Sequence, residues 1–104
     1  MKLDIEGRVA LVVGASRGIG LAIAETLAAE GARLAIAARS LDGLKTAAGR
    51  IGHDATIHSA DVTNPAAAAA LVSEVEMRWG RIDILVCNVG SGASVPPGSE
   101  TAAE

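Results

Sequence analysis

The stretch Val13-Gly14-Ala15-Ser16-Arg17-Gly18-Ile19-Gly20 constrains this chain more than any other. It follows the apolar run Val9-Ala10-Leu11-Val12-Val13 and opens into a segment with Ile19, Ile23 and Leu27 at helical spacing. A strand, a glycine-rich turn and a helix start, in that order, form a phosphate-binding unit. The first N–H groups of a helix have no partner within it, and its dipole is positive at that end, so both favour an anion. Glycine lets the backbone approach that anion closely and allows positive φ in the turn. The spacing is G-x-x-x-G-x-G, through Gly14, Gly18 and Gly20. It differs from the dinucleotide fingerprint G-x-G-x-x-G, and no Gly-Lys-Ser/Thr follows as in a Walker loop. A strand–helix turn that holds no ligand is the bland alternative, and the rest of the chain bears on it.

Alternating patterns continue along the sequence. Arg8–Val13 is expected as a first strand, apolar throughout as in a parallel strand covered on both faces. A helix from Ile19 or Gly20 ends at Glu30, with Gly31 placed as its C′ residue. Leu34–Ala38 reads as a second strand. Ser40 caps a short helix with apolar positions Leu41, Leu44, Ala48 and Ile51. Ala55–Ala60 is a third strand, polar at Thr56 and His58 as an edge strand would be. Asn64-Pro65 starts a long helix whose stripe runs through Ala68, Leu71, Val75 and Trp79, with Gly80 as the stop. Ile82–Cys87 is read as a fourth, apolar strand. Strict alternation implies an α/β fold with a parallel sheet and right-handed crossovers. The expected order is 3-2-1-4, the beginning of a Rossmann-like doubly wound sheet.

Composition limits what such a fold is for. The 104 residues make a single small domain over 1–104, half hydrophobic yet with one Trp and no Tyr or Phe, so its core must be aliphatic and alanine-rich. A net charge of −3 without a basic stripe gives no sign of nucleic-acid binding. No apolar run reaches the roughly 18 residues of a membrane span, and Asp4 and Glu6 stand where a signal peptide would be apolar. The single cysteine, Cys87, cannot form an internal disulfide, which suits a reducing cytoplasm. It is expected as a buried small hydrophobe. His53 and His58 have no partner at ligand spacing, and no metal site is expected.

Chemistry-bearing residues cluster where the strands end. In dinucleotide folds an acid after the second strand holds the ribose hydroxyls, whereas a basic residue accommodates a 2′-phosphate. Here no acid stands at the strand end and Arg39 follows it, with Arg17 in the glycine turn able to reach the same phosphate. Charge-assisted hydrogen bonds contribute roughly 1.5–3 kcal/mol each, so this pair favours NADP over NAD. Two solvated surface arginines are the alternative. Asp61-Val62 closes the third strand, where an aspartate can accept from an adenine amino group; a loop or capping aspartate is the other reading. The fourth strand ends in Cys87-Asn88-Val89-Gly90, polar and glycine-containing at the same edge.

These three motifs, in this order and at these separations, resemble the N-terminal motifs of the short-chain dehydrogenase/reductase family: a T-G-x-x-x-G-x-G turn, an Asp-Val pair and an N-N-A-G segment. The resemblance covers essentially the whole chain. It implies that Gly14, Ser16, Arg17, Gly18, Ile19 and Gly20 line the pyrophosphate and adenosine. Arg39 would mark NADP preference, Asp61 and Val62 the adenine, and Asn88 and Gly90 the ribose region. Val13 stands where the family usually has Thr, and Cys87 where it often has the first Asn. These positions fall at the ends of neighbouring strands, so apolar packing is expected there in place of a polar contact.

The family transfers hydride between NAD(P) and a carbonyl or alcohol, using a Ser and a Tyr-x-x-x-Lys pair in its second half. This chain has no tyrosine, and its lysines are Lys2 and Lys45 alone. Without the acid–base group there is no proton route. Thr101-Ala102-Ala103-Glu104 has capping-box spacing, as at the start of a further helix. The expectation is therefore the truncated, NADP-binding half of a reductase, inactive alone. A non-catalytic NADP(H) sensor and one half of a split enzyme are the other readings. Pairing through the open Ile82–Cys87 edge, with a second copy or with a missing C-terminal half, is expected.

Overall fold

Val9–Val13 forms strand β1, and all five of its residues are buried in the computed structural model, which describes residues 5–52 and 54–88. Burial on both faces is what an unbroken apolar strand requires, and it makes β1 the centre of the sheet. Helix α1 (Gly18–Ala29), strand β2 (Arg33–Ala38), helix α2 (Leu41–Ile51), strand β3 (Thr56–Ser59), helix α3 (Pro65–Trp79) and strand β4 (Ile84–Cys87) follow. The strands are parallel and lie in the order β3-β2-β1-β4. The expected α/β fold, its order and its polar edge strand all stand. Thr101–Glu104 lies outside the described residues.

Two apolar layers sandwich the sheet, and the period-two alternation of the strands sorts residues between them. Ala10, Val12, Leu34 and Ile36 face Leu21, Ala24 and Ala28 of α1 and Leu44, Ala47 and Ile51 of α2. Val9, Leu11, Val13, Ala35 and Ala37 face Leu71 and Val75 of α3. Each fully buried Leu or Val contributes about 1.5–3 kcal/mol. Alanine fills much of the rest, with Ala10, Ala15, Ala24, Ala35, Ala37 and Ala47 completely sealed. Small side chains let helices sit close on the sheet.

The helix stripes depart from the expected ones. In α1 the core takes Leu21, Ala24 and Ala28, while Ile19 is 71% exposed and Ile23 and Leu27 are half-buried. In α2 the core takes Ala47 in place of Leu41, which points outward, and Ala48 is only half-buried. The sheet admits the smaller side chain where two helices crowd one face. Leu71 and Val75 anchor α3 as expected, with Ala68 and Trp79 half-buried.

Strand β4 begins later than expected because Asp83 interrupts the apolar run. Its Oδ2 accepts from the Val9 N–H and the Arg81 Nε, both at 2.8 Å. These donors hold the Asp83 carboxyl below its ordinary range, Val9 most strongly. Leu85 of β4 is 58% exposed, although its register partner Leu11 is buried. Helix α3 alone covers that face among the described residues, and it centres on β1 and β2. Cys87 is half-buried beside Val13, not sealed in the core.

A network absent from the sequence reading ties α3 to the edge strand. His58 Nδ1 stands 2.6 Å from Glu74 Oε1, and its Nε2 lies 2.8 Å from Thr56 Oγ1. Trp79 Nε1 donates to the same hydroxyl at 3.5 Å. Arg78 covers the indole at 4.3 Å. His58 therefore has a structural role, and His53 lies outside the described residues.

Candidate cofactor-binding site

All four strands run parallel, so their carboxyl ends meet at one edge of the sheet, the usual place for a ligand in such folds. A cleft of about 740 Å³ opens there. The glycine turn forms one wall, the β2–α2 junction a second, and the segment after β3 a third. Asn88, following β4, closes the floor.

The three glycines of the turn serve different ends. Gly14 has φ +82, and a Cβ there would collide with the carbonyl oxygen of Asn88 and stand 2.8 Å from its carbon. A Cβ on Gly20 would strike the Gly14 carbonyl and come 3.1 Å from Asn88 Nδ2. The turn, α1 and the end of β4 are thus in backbone contact, and Gly20 lies behind the cleft, buried. Gly18 meets nothing within 4 Å but has φ +64. Close approach governs two of these positions and backbone conformation the third. Backbone bonds fasten the turn: Gly14 N–H donates to Ala37 O at 2.7 Å, and Asn88 N–H to Val13 O at 2.9 Å.

The three helices differ at their N-termini. Ser40 Oγ caps α2 by accepting from Gly43 N–H, and Asn64 caps α3 by accepting from Ala66 and Ala67. At α1 the cap residue is Arg17, extended and making no capping bond, with no acid in the first turn. The positive end of α1 therefore faces the cleft with its N–H groups unanswered by any side chain, as an anion site requires.

Two guanidinium groups flank that opening. Arg17 and Arg39 both line the cleft, both are exposed, and neither takes part in a salt bridge among the described residues. The Arg39 carbonyl accepts from Ser59 Oγ at 3.0 Å, which fixes the backbone after β2 against β3. Across the cleft, the Thr63 hydroxyl and N–H donate to Asp61 Oδ1 at 2.6 and 3.1 Å. Those two bonds hold the Asp61 carboxyl below its ordinary range, with a smaller pull from Arg39.

The structure thus brings Gly14, Ser16, Arg17, Gly18, Ile19, Arg39, Asp61, Val62 and Asn88 to one cleft. Ile19 explains its own exposure by lying on the cleft lip. Gly20 supports the turn from behind, and Gly90 lies outside the described residues. Ser40 and Gly43 also line the cleft, and sequence reasoning missed them as site residues. Their signal was Ser40's place as a helix cap directly after Arg39. Among the described residues no cluster of metal-ligating side chains occurs, and no helix is long and apolar enough to cross a membrane.

Comparison with known proteins agrees with this geometry. A family model described as short chain dehydrogenase matches residues 8–104. The 3-oxoacyl-[acyl-carrier-protein] reductase FabG of Escherichia coli is 42% identical over 88 residues, covering 85% of this chain and 36% of the relative. Sorbitol dehydrogenase of Cereibacter sphaeroides is 47% identical over 88 residues, covering 85% and 34%. The crystal structure of L-sorbose reductase from Gluconobacter frateurii, complexed with NADPH and L-sorbose, superposes with TM-score 0.84 at 39% identity, covering 95% of this chain and 39% of that one. A metagenomic short-chain oxidoreductase in complex with NADP gives TM-score 0.79 at 37% identity, covering 95% and 49%. The chain spans about a third of the length of the curated relatives it matches.

Proposed function

Because the chain belongs to the short-chain dehydrogenase family, we propose that it is the NADP(H)-binding portion of an oxidoreductase that moves hydride between this cofactor and a carbonyl or alcohol. The observation that carries the reading is one cleft holding the uncapped start of α1, Arg17 and Arg39, with no acid of the β2–α2 junction among its lining residues. The relatives crystallised with NADPH and NADP support the same cofactor.

The residues divide the work by chemistry. Backbone N–H groups at Gly18 and Ile19 donate to the pyrophosphate, with Gly14 and Gly20 keeping the turn close to Asn88. Arg17 and Arg39 pair with the 2′-phosphate, beside Ser16. Asp61, whose Oδ1 is already held by Thr63, offers Oδ2 to the adenine amino group, and Val62 packs on the ring. Asn88 and Gly90 border the ribose. When bound, the cofactor supplies the hydride. Residues 1–104 supply no tyrosine, so they bind without reducing, and the acid–base group comes from further polypeptide, continuous or separate. The cytoplasm, with its reducing conditions, suits the half-buried free thiol of Cys87.

Titration of the purified chain with NADPH and NADH tests this reading, followed by calorimetry and thermal shift. A ligand that binds only the folded state raises its stability. NADPH should bind more tightly, and Arg39→Ala should remove most of the difference. Equal affinity for both nucleotides would refute the NADP assignment, and no binding of either would refute the cofactor role.

A further inference from the structure

Gly43 occupies a place in α2 where helix energetics ask for another residue. It is the third residue of the helix, and its N–H donates to the capping Ser40 Oγ at 3.0 Å. In the sequence Ser40-Leu41-Asp42-Gly43 the glycine stands where a capping box carries Glu or Gln, whose side chain would reach back to the cap and suit the helix dipole. Glycine is also the poorest helix former after proline. Its φ is not positive, so backbone conformation does not demand it.

The demand comes from the cleft. Gly43 lines it, and a Cβ at this position would stand 3.1 Å from the Ser16 Cβ and 3.3 Å from Ser40 Oγ. Helix α2 and the glycine turn therefore meet closely enough that a side chain here would press on Ser16 and Ser40, which would have to give by a few tenths of an ångström. A carboxylate at this position would also project into the wall shared by Arg17 and Arg39, neutralising the cations that answer a phosphate.

We propose that Gly43 is a specificity-determining residue of the cleft: its missing side chain keeps this wall open for the 2′-phosphate of NADP(H) and places no carboxylate there, Asp42 of the same helix turn lying off the lining. The inference rests on the NADP(H) reading above. Local helix stability is given up so that the site can accept an anion. Gly49 provides the internal control, since it lies in the same helix and a Cβ there meets nothing within 4 Å.

The test is calorimetric titration of the parent chain, Gly43→Ala, Gly43→Glu and Gly49→Ala with NADPH and NADH, with melting midpoints measured alongside. Gly43→Glu should weaken NADPH by at least about tenfold while NADH changes much less. Gly43→Ala should shift selectivity the same way by about threefold. Gly49→Ala should leave both affinities unchanged. A Gly43→Glu midpoint at or above the parent's separates loss of selectivity from loss of fold; should that variant not fold, Gly43→Ala decides. An unchanged NADPH-to-NADH ratio in the Gly43 variants, or a parallel fall in both affinities, overturns the proposal. A parent chain without NADPH preference overturns the reading beneath it instead, and this inference with it.

Discussion

Val13 and Cys87 are register partners at the carboxyl ends of β1 and β4, directly before Gly14 and Asn88 of the cleft. Both contribute to the apolar layer under α3. The floor of the site is therefore held by an apolar pair where a polar one was conceivable. Val13→Thr should destabilise the fold by about 1–2 kcal/mol, because it places a hydroxyl without an arranged partner at a buried site. Adding Cys87→Asn should recover part of that loss. Urea denaturation of the two single variants and the double variant measures the coupling; strict additivity would show that the two positions do not communicate.

The three motif glycines should not be equivalent. Gly14→Ala and Gly20→Ala each drive a methyl group into backbone, which cannot move aside as a side chain would. Each should cost more than about 3 kcal/mol or prevent folding. Gly18→Ala meets open space and bears only its left-handed φ, a penalty of about 1–2 kcal/mol. Denaturation midpoints in the order Gly18→Ala above the other two would bear this out, and the reverse order would refute it.

Acid stability should depend on Asp83. Its folded carboxyl titrates below the ordinary value of 3.8 because the Val9 N–H and Arg81 donate to it. A depressed folded value means that stability is present above the unfolded pKa and is lost as pH falls through the folded one. Unfolding of the parent chain should therefore steepen below about pH 4, and Asp83→Asn should flatten that limb while lowering stability at neutral pH. Asp61, held by Thr63, contributes in the same direction. Circular dichroism from pH 7 to pH 2 reads the effect.

The β4 edge should draw the isolated chain into self-association. Among the described residues β4 pairs only with β1, and Leu85 presents an exposed apolar side chain on it. Sedimentation velocity should show a concentration-dependent larger species. Leu85→Lys, a charge of the kind that protects natural edges, should shift the distribution towards monomer. A parent chain monomeric at all concentrations would count against this.

Topology was readable because local signals agreed: an unbroken apolar β1, the caps Ser40 and Asn64, and the stop at Gly80 all fall where expected. The identity of the buried helix faces was less readable. In α1 nearly every residue is apolar or alanine, so the pattern could not separate Leu21, Ala24 and Ala28 from Ile19, Ile23 and Leu27; only the sheet beneath decides. Arg17, Arg39 and Asp61 could be placed in the cleft because strand ends converge in a parallel sheet. Ser40 and Gly43 escaped notice because their part depends on how closely α2 approaches Ser16. Thr56 and His58 share a strand face by spacing, but the His58–Glu74 contact reaches from β3 to α3, which spacing alone does not connect.

An interior built from alanine reverses the usual hazard of mutation. Most cores fail by losing volume, through a truncated leucine or phenylalanine. Here Ala10, Ala24, Ala35, Ala37 and Ala47 are fully sealed and have almost nothing left to lose. Each added methyl or methylene must instead push a helix off the sheet, at about 1–3 kcal/mol. At these alanine positions the interior resists growth, while Leu11, Leu34, Ile36 and Leu44 hold the volume it can still lose. The tight seat of α1 and α2 on the strands, and with it the width of the cleft, is inherited through the smallest side chains it has.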